Sequence, residues 1–233
     1  MSVDPIEAIV FFVAFIFSAT VHEAAHAWAA KRGGDPTAYL GGQVSLDPLP
    51  HIRREPFGMV ILPLLSAFWI GWPIGFASAP FDPVWAERYP RRAAWMALAG
   101  PAANLGLLLV CALLIRLGIA QGLFQIPVSV SFGAVAAAND SSIGGALALV
   151  VSILFSLNLV LVVLNLIPLP PLDGSGAVGL LLPEHVTARY QQAVRESGIG
   201  WIGILVVFWI FPRIFQPIFW SAVNLLYPEV RYG

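Results

Sequence analysis

The chain has 233 residues, of which 58% are hydrophobic and only 11% charged; its net charge is −1 and its mean hydropathy +0.82. A soluble domain carries about 25% charged residues, so this composition places the chain among integral membrane proteins, and the length suits one domain or one helical bundle. Nothing in the charge balance suggests nucleic acid, and the single Cys111 excludes an intrachain disulfide; in its apolar run Cys111 reads as a small core residue.

A helix needs roughly 20 apolar residues to cross a bilayer. The first such stretch is about 6–30. Asp4 and Glu7 stand at its start, where a signal peptide would carry bases, and it holds His22-Glu23-Ala24-Ala25-His26 in its interior. On a helix this HExxH spacing puts two imidazoles one turn apart on one face with a carboxylate beside them, the arrangement of a zinc hydrolase. Ionisable groups inside spans are rare and usually functional. Lys31 follows His22 by roughly 13 Å along the axis, so the motif falls in the half of the bilayer nearer the basic flank.

Residues 41–58, GGQVSLDPLPHIRREPFG, form a loop in which His51 reads as a solvated side chain. Residues 57–72 are apolar but short, and Pro63 and Pro73 break them. In PIGFASAP, 73–80, prolines at both ends and Gly75 resist a helix. The segment 57–80 is therefore predicted to be re-entrant, or a short helix followed by a strand. Such backbone survives at membrane depth only where protein or water covers it.

The second span, about 92–118, contains Gly100-Pro-Ala-Ala-Asn104, and the Gly-Pro pair suggests a kink and close helix contact. Loop 119–142 has no basic residue; its Asn139-Asp140-Ser141 matches a glycosylation sequon, a pattern short enough to arise by chance. The third span, about 143–167, runs into Asn165-Leu-Ile-Pro-Leu-Pro-Pro-Leu-Asp-Gly174. Pro168, Pro170 and Pro171 should unwind the helix there, and Gly174 should let the backbone turn. Zinc needs a third protein ligand and an open position for water. Asp173, at a depth like that of His22, is a better candidate than His51 or His185, both in predicted loops. The fourth span, about 199–221, carries Trp201, Trp209 and Trp220, read as interface anchors.

Nine of the twelve basic residues fall in loops on one side if 57–80 does not cross: Lys31, Arg32, Arg53, Arg54, Arg88, Arg91, Arg92, Arg189 and Arg195. The positive-inside rule then places those loops, and the nearby motif, toward the cytoplasm of a cell (inner) membrane, with both termini outside.

HEAAH in the first span, GPAAN in the second and NLIPLPPLDG in the third together resemble the site-2 proteases, the intramembrane zinc metalloproteases. The loop 41–58 is similar to the stretch that follows the HExxH helix in that family, and the resemblance covers about residues 8–180. It implies an all-α membrane bundle of four to five transmembrane helices with a short membrane-embedded extended or hairpin region after the first, making one domain over 1–233. It implies one Zn2+ per chain held by His22, His26 and Asp173, with Glu23 as general base and Asn165 near the zinc, positioning the substrate or its developing oxyanion. Ile74, Gly75, Phe76 and Ala77 would lie beside an unwound substrate segment, and Asn104 and Gly174 would be structural neighbours of the site. The expected partners are membrane lipid and a single-span membrane protein substrate, such as a membrane-tethered regulator of the anti-sigma factor kind. With no PDZ domain, no CBS pair and no leading spans visible, the chain reads as a minimal form. Two other readings compete: a pseudoprotease that binds a membrane helix without cutting it, and a metal transporter, which would need several liganding positions along a path.

Overall fold

The structure, a computed structural model, describes residues 4–139, 143–196 and 200–233. Asp140 and Ser141 of the sequon, and residue 199 at the predicted start of the fourth span, lie outside the described residues. Helix α1 spans Pro5–Gly33. Asp4 caps it by accepting from the Ile6 N–H (2.9 Å), Pro5 supplies the pre-set first turn, and Gly34 closes it in the left-handed conformation at φ 101. Short helices α2 (Thr37–Leu40) and α3 (Leu49–Arg54) follow; next come a π-helical turn at Phe57–Ile61, α4 (Leu62–Ile70) and α5 (Pro83–Arg88). Helix α6 (Pro90–Ala120) returns along α1, a two-residue pair of strands β1 (Phe124–Gln125) and β2 (Ala137–Ala138) marks the far end, and α7 (Ile143–Asn165) runs back. Helix α8 (Asp173–Ala177), a 3-10 turn at Val178–Leu180, α9 (Glu184–Glu196) and α10 (Gly200–Leu226) complete the chain.

Among the described residues four helices, α1, α6, α7 and α10, are long and apolar enough to cross a membrane. The fifth apolar helix, Phe57–Ile70, would be only about 21 Å long, short of the roughly 30 Å hydrocarbon core. Gly71, at φ 74, reverses the chain, and 73–80 runs back as an extended strap. This strap forms no regular ladder, in contrast to the predicted strand. Pro73 and Pro80 have no N–H to offer, and its neighbours present single groups rather than a paired strand edge. Ile74 N–H donates to Ser66 Oγ (2.7 Å), Phe76 N–H to the Gly58 carbonyl (3.1 Å), and the Ser78 carbonyl accepts from Gln43 Nε2 (3.3 Å). Gly58 and Gly75 permit this approach: a Cβ on Gly75 would stand 2.5 Å from both the Gly58 carbonyl and Pro63, and closer to Phe15.

Three apolar clusters join the helices. Phe11, Phe15, Met59, Ile153 and Leu157 tie α1 and the π-helical turn to α7, and Ala30, Trp85, Ala93 and Met96 tie α1, α5 and α6 at the basic end. At the opposite end α6, α7 and α10 share Leu108, Cys111, Ile115, Phe155, Phe215, Phe219 and Val223, so Cys111 is the core residue expected. The end of α10 is fastened there: the Tyr227 hydroxyl donates to the Val135 carbonyl (2.7 Å), and Arg116 bonds the Leu226 carbonyl (3.1 Å) and Glu229 (3.2 Å). The hydrogen bond from Arg116 holds the Glu229 carboxyl below the usual range. The other half of α10 is mostly exposed, and Pro212 and Pro217 interrupt its hydrogen bonding.

Three expectations are corrected here. His51 is not solvated; it is 1% exposed in α3, where its Nε2–H donates to the Ser45 carbonyl (3.1 Å), because α3 folds the loop back on itself. His185 lies in the first turn of α9 rather than in a loop. Trp220 is more than an interface anchor, since it packs edge-on against Phe219 within the far-end cluster; Trp209 stays exposed, with Arg213 over its ring.

Candidate metal centre

One face of α1 presents His22 and His26, each 6% exposed, with their Nε2 atoms 3.0 Å apart. The His22 Nδ1–H donates to Asn104 Oδ1 on α6 (2.5 Å), and the His26 Nδ1–H donates to the Met96 carbonyl on α6 (2.7 Å). With both protons on Nδ1, both Nε2 atoms present lone pairs. Asp173 Oδ2 lies 2.9 Å from the first and 3.3 Å from the second.

Three acceptor atoms converging this closely repel one another unless they share a cation. Tetrahedral zinc, bonded to N and O at about 2.0–2.1 Å, holds its ligand atoms about 3.3 Å apart. The donor set therefore fits such an ion with little movement. Glu23, 6% exposed, adds a buried Oε2 that has no hydrogen-bond partner, and His22, Glu23 and His26 form a group able to hold a metal ion.

Asp173 reaches the pair because α7 stops at Asn165 and the proline-rich run delivers α8 against α6. Small residues make that contact close: Gly176 faces Ala97, and Gly179 faces Ala94. Gly174 acts differently from the expectation. Its backbone is not left-handed; a Cβ there would collide with the Leu166 carbonyl at 2.5 Å and with that of Ile167. It is small so that α8 can fold onto the end of α7.

The sequence reading missed Gly100 as a site residue. A Cβ at Gly100 would stand 2.5 Å from His22 Nε2 and closer still to His26 Nε2, so this glycine clears the space in which the two nitrogens converge. A Gly100→Ala chain is expected to keep its helix content and to lose zinc affinity about 10–100-fold, the range typical of disturbed outer shells. Chelator-competition titration checks this; wild-type affinity would mean that the imidazoles can step aside.

Two cavities meet at the centre. One, of about 520 Å³, is bounded by His22, Glu23, Asn165, Leu161 and Ile204 and by the strap from Gly75 to Ser78. The other, of about 360 Å³, opens toward α9 and is bounded by Glu23, His26, Asp173, Met96 and Gln191. Of the predicted strap residues, Gly75, Phe76 and Ala77 line the larger cavity and Ile74, whose N–H donates to Ser66, does not. Ser78, not predicted, lines both. Asn104 is more than a packing residue, since it orients His22. Behind it lie Ser18 and Asn158, which the sequence reading did not single out, although an Asn within an apolar span is itself a signal. The contribution of Met96 is a backbone carbonyl, for which no side-chain signal exists.

Four candidate spans enclosing a buried His-Glu-His group with a facing aspartate define a membrane-embedded metal hydrolase. The sequence profile of Peptidase family M50 matches residues 10–208. The chain is 35% identical over 199 residues to "Putative zinc metalloprotease YwhC" of Bacillus subtilis (strain 168), covering 84% of this chain and 78% of that protein. It is 29% identical over 211 residues to "Putative zinc metalloprotease Rip2" of Mycolicibacterium smegmatis, covering 88% and 70%, and equally to the protein of that name from Mycobacterium tuberculosis (strain H37Rv). No solved structure matches the chain. The chain belongs to Peptidase family M50, the site-2 protease family that its motifs resemble, and is an integral membrane metalloprotease.

Proposed function

We propose that the chain is an intramembrane zinc endopeptidase that cleaves the transmembrane segment of single-span membrane proteins. It would hold one zinc per chain through His22, His26 and Asp173. The observation that carries this reading is the position of the centre: inside span α1, beside a cavity edged by extended backbone. When bound, the zinc supplies Lewis acidity and a water of lowered pKa. Glu23, with its partnerless Oε2, takes the proton of the attacking water and hands it to the leaving amine nitrogen.

A substrate helix has to unwind before its peptide bond can be attacked, and the strap is suited to receive it. In extended backbone, alternate residues point their hydrogen-bonding groups to opposite edges. Ile74, Phe76 and Ser78 spend theirs on Ser66, Gly58 and Gln43, which leaves the edge of Gly75 and Ala77 for strand addition by the substrate. Asn165, on the cavity wall, orients the substrate carbonyl.

Access is assigned to α10. Helix α1 carries His22, Glu23 and His26 and cannot swing without dismantling the site. The basic-end half of α10 contributes Ile204 to the cavity wall, packs Gly203 onto the Pro170 carbonyl, and is hinged by Pro212 and Pro217. The clustering of basic residues in loops on one side supports a site toward the cytoplasmic side of the inner membrane. A membrane-tethered regulator already trimmed by another protease, such as an anti-sigma factor, is the substrate class that fits.

The test is incubation of the purified protein in detergent with a panel of single-span substrates, beside Glu23→Gln and a zinc chelator. Cleavage within the apolar segment, lost in both controls, is expected. Binding without cleavage by the folded, zinc-loaded protein would support the pseudoprotease instead, and zinc movement across vesicles would support a transporter. A transporter has little support, because the described residues contain one cluster able to hold a metal and no second one along a path.

A further inference from the structure

Behind the metal centre lies a buried polar chain that crosses three helices: His22 on α1, Asn104 on α6, and Asn158 on α7, with Ser18 beside them. Asn104, Asn158 and Ser18 are all 0% exposed. Between transmembrane helices the bland reading of such a chain is adhesion. Its directions carry more than that.

The side-chain amide of an asparagine is nearly symmetric in shape but has a donor end and an acceptor end. Which end of Asn104 faces His22 decides whether Nδ1 carries a proton. With Oδ1 toward the ring, Nδ1 must carry the proton and Nε2 keeps its lone pair. With the NH2 toward the ring, Nδ1 must accept, the proton moves to Nε2, and no lone pair remains where Asp173 and His26 converge.

The direction is set two steps back. The Leu154 carbonyl can only accept, so Asn158 must turn its NH2 toward it (2.8 Å). The same NH2 donates to Ser18 Oγ (3.0 Å). Asn158 Oδ1 is then left facing Asn104 and accepts from Asn104 Nδ2 at 2.8 Å. The Ser18 carbonyl, another pure acceptor, draws the same Nδ2 at 3.3 Å. Asn104 Oδ1 can therefore face only His22 (2.5 Å). With no solvent at any of these three side chains, water cannot substitute for a missing partner.

We propose that Asn158 is a positioning residue of the metal centre: acting through Asn104, it fixes the proton of His22 on Nδ1 and so keeps the Nε2 lone pair available to a metal ion. The proposal rests on the reading of His22 as a zinc ligand, but its central claim concerns the tautomer and can be tested without metal or proteolysis. Nitrogen NMR of the metal-free, 15N-histidine-labelled protein in detergent at alkaline pH reads that tautomer directly. The chain has only four histidines, and the His22 signal is assigned by its loss in His22→Gln. The wild type is expected to carry a proton on His22 Nδ1, whether or not the Asp173 carboxylate 2.9 Å away holds a second one on Nε2, and Asn158→Leu, of similar size but without polar atoms, to lose the Nδ1 proton. Zinc affinity should fall about 10–100-fold in Asn158→Leu, and the same substitution should cost nothing further in an Asn104→Leu background.

A wild-type His22 with no proton on Nδ1 would overturn the proposal whether or not any variant folds. So would an Asn158→Leu chain with unchanged tautomer, or an equal loss of affinity with and without Asn104, which would mark Asn158 as packing alone. Failure of the protein to cleave any substrate would touch the proteolytic reading and leave this one standing.

Discussion

A Glu23→Gln chain is expected to bind zinc as the wild type does and to lose cleavage by about 10²–10⁴-fold, the range for removal of a positioned general base. Glutamine has the size and shape of glutamate, so the packing of α1 against the strap should survive. The carboxylate is nearly buried and its Oε2 has no partner in the protein, so the substitution orphans no structural donor. What it removes is the capacity to accept a proton and return it. Metal analysis by mass spectrometry and a cleavage assay on the same preparation measure the two effects together. Cleavage surviving in a clean preparation would take Glu23 out of the base role. Loss of zinc would instead make it a ligand.

Asp173→Ala should do the reverse and empty the centre. Helix α1 supplies two imidazoles by itself, but the third donor arrives from α8 after two more helices have crossed the membrane. Loss of that donor should weaken zinc binding by more than about 100-fold, beyond the range of outer-shell changes. Because zinc would tie α1 to α8, it should also stabilise the folded wild type. At a free zinc concentration 100 times Kd the gain is about 2.7 kcal/mol, seen as a higher Tm in detergent. In Asp173→Ala that zinc-dependent rise should vanish at the same concentration, while the metal-free Tm values stay comparable. An unchanged zinc stoichiometry and an unchanged rise would exclude Asp173 as a ligand.

Legibility of the site followed the range of each interaction. The HEAAH spacing is read on one helix, because four residues make about one turn, and no other part of the chain is needed to see that His22 and His26 share a face. The strap was legible as non-helical because proline and glycine act locally, yet its edge assignment was not. Ile74 and Ser78 exchanged places as cavity residues, since which strap residues border the site depends on how the strap docks on α4 and the turn at Phe57–Ile61, and no local pattern specifies that. His51 was misread for the same reason: a polar residue in a polar-looking loop gives no sign that the loop will close over it.

The sequence by itself determined that this chain lives in a membrane, that its first span carries a metal-binding pair with a carboxylate between, and that a proline-broken third span brings an aspartate to similar depth. These follow from composition, helical period and the backbone chemistry of proline, all of which act within a few residues. Only the tertiary structure decided that Gly100 clears the space at the two Nε2 atoms, that Gly174 serves close packing rather than a turn, and that Asn104 and Asn158 orient His22. Each of these depends on which helix faces which, and in an apolar bundle that is settled by the fit of small residues and the pairing of buried polar groups across helices.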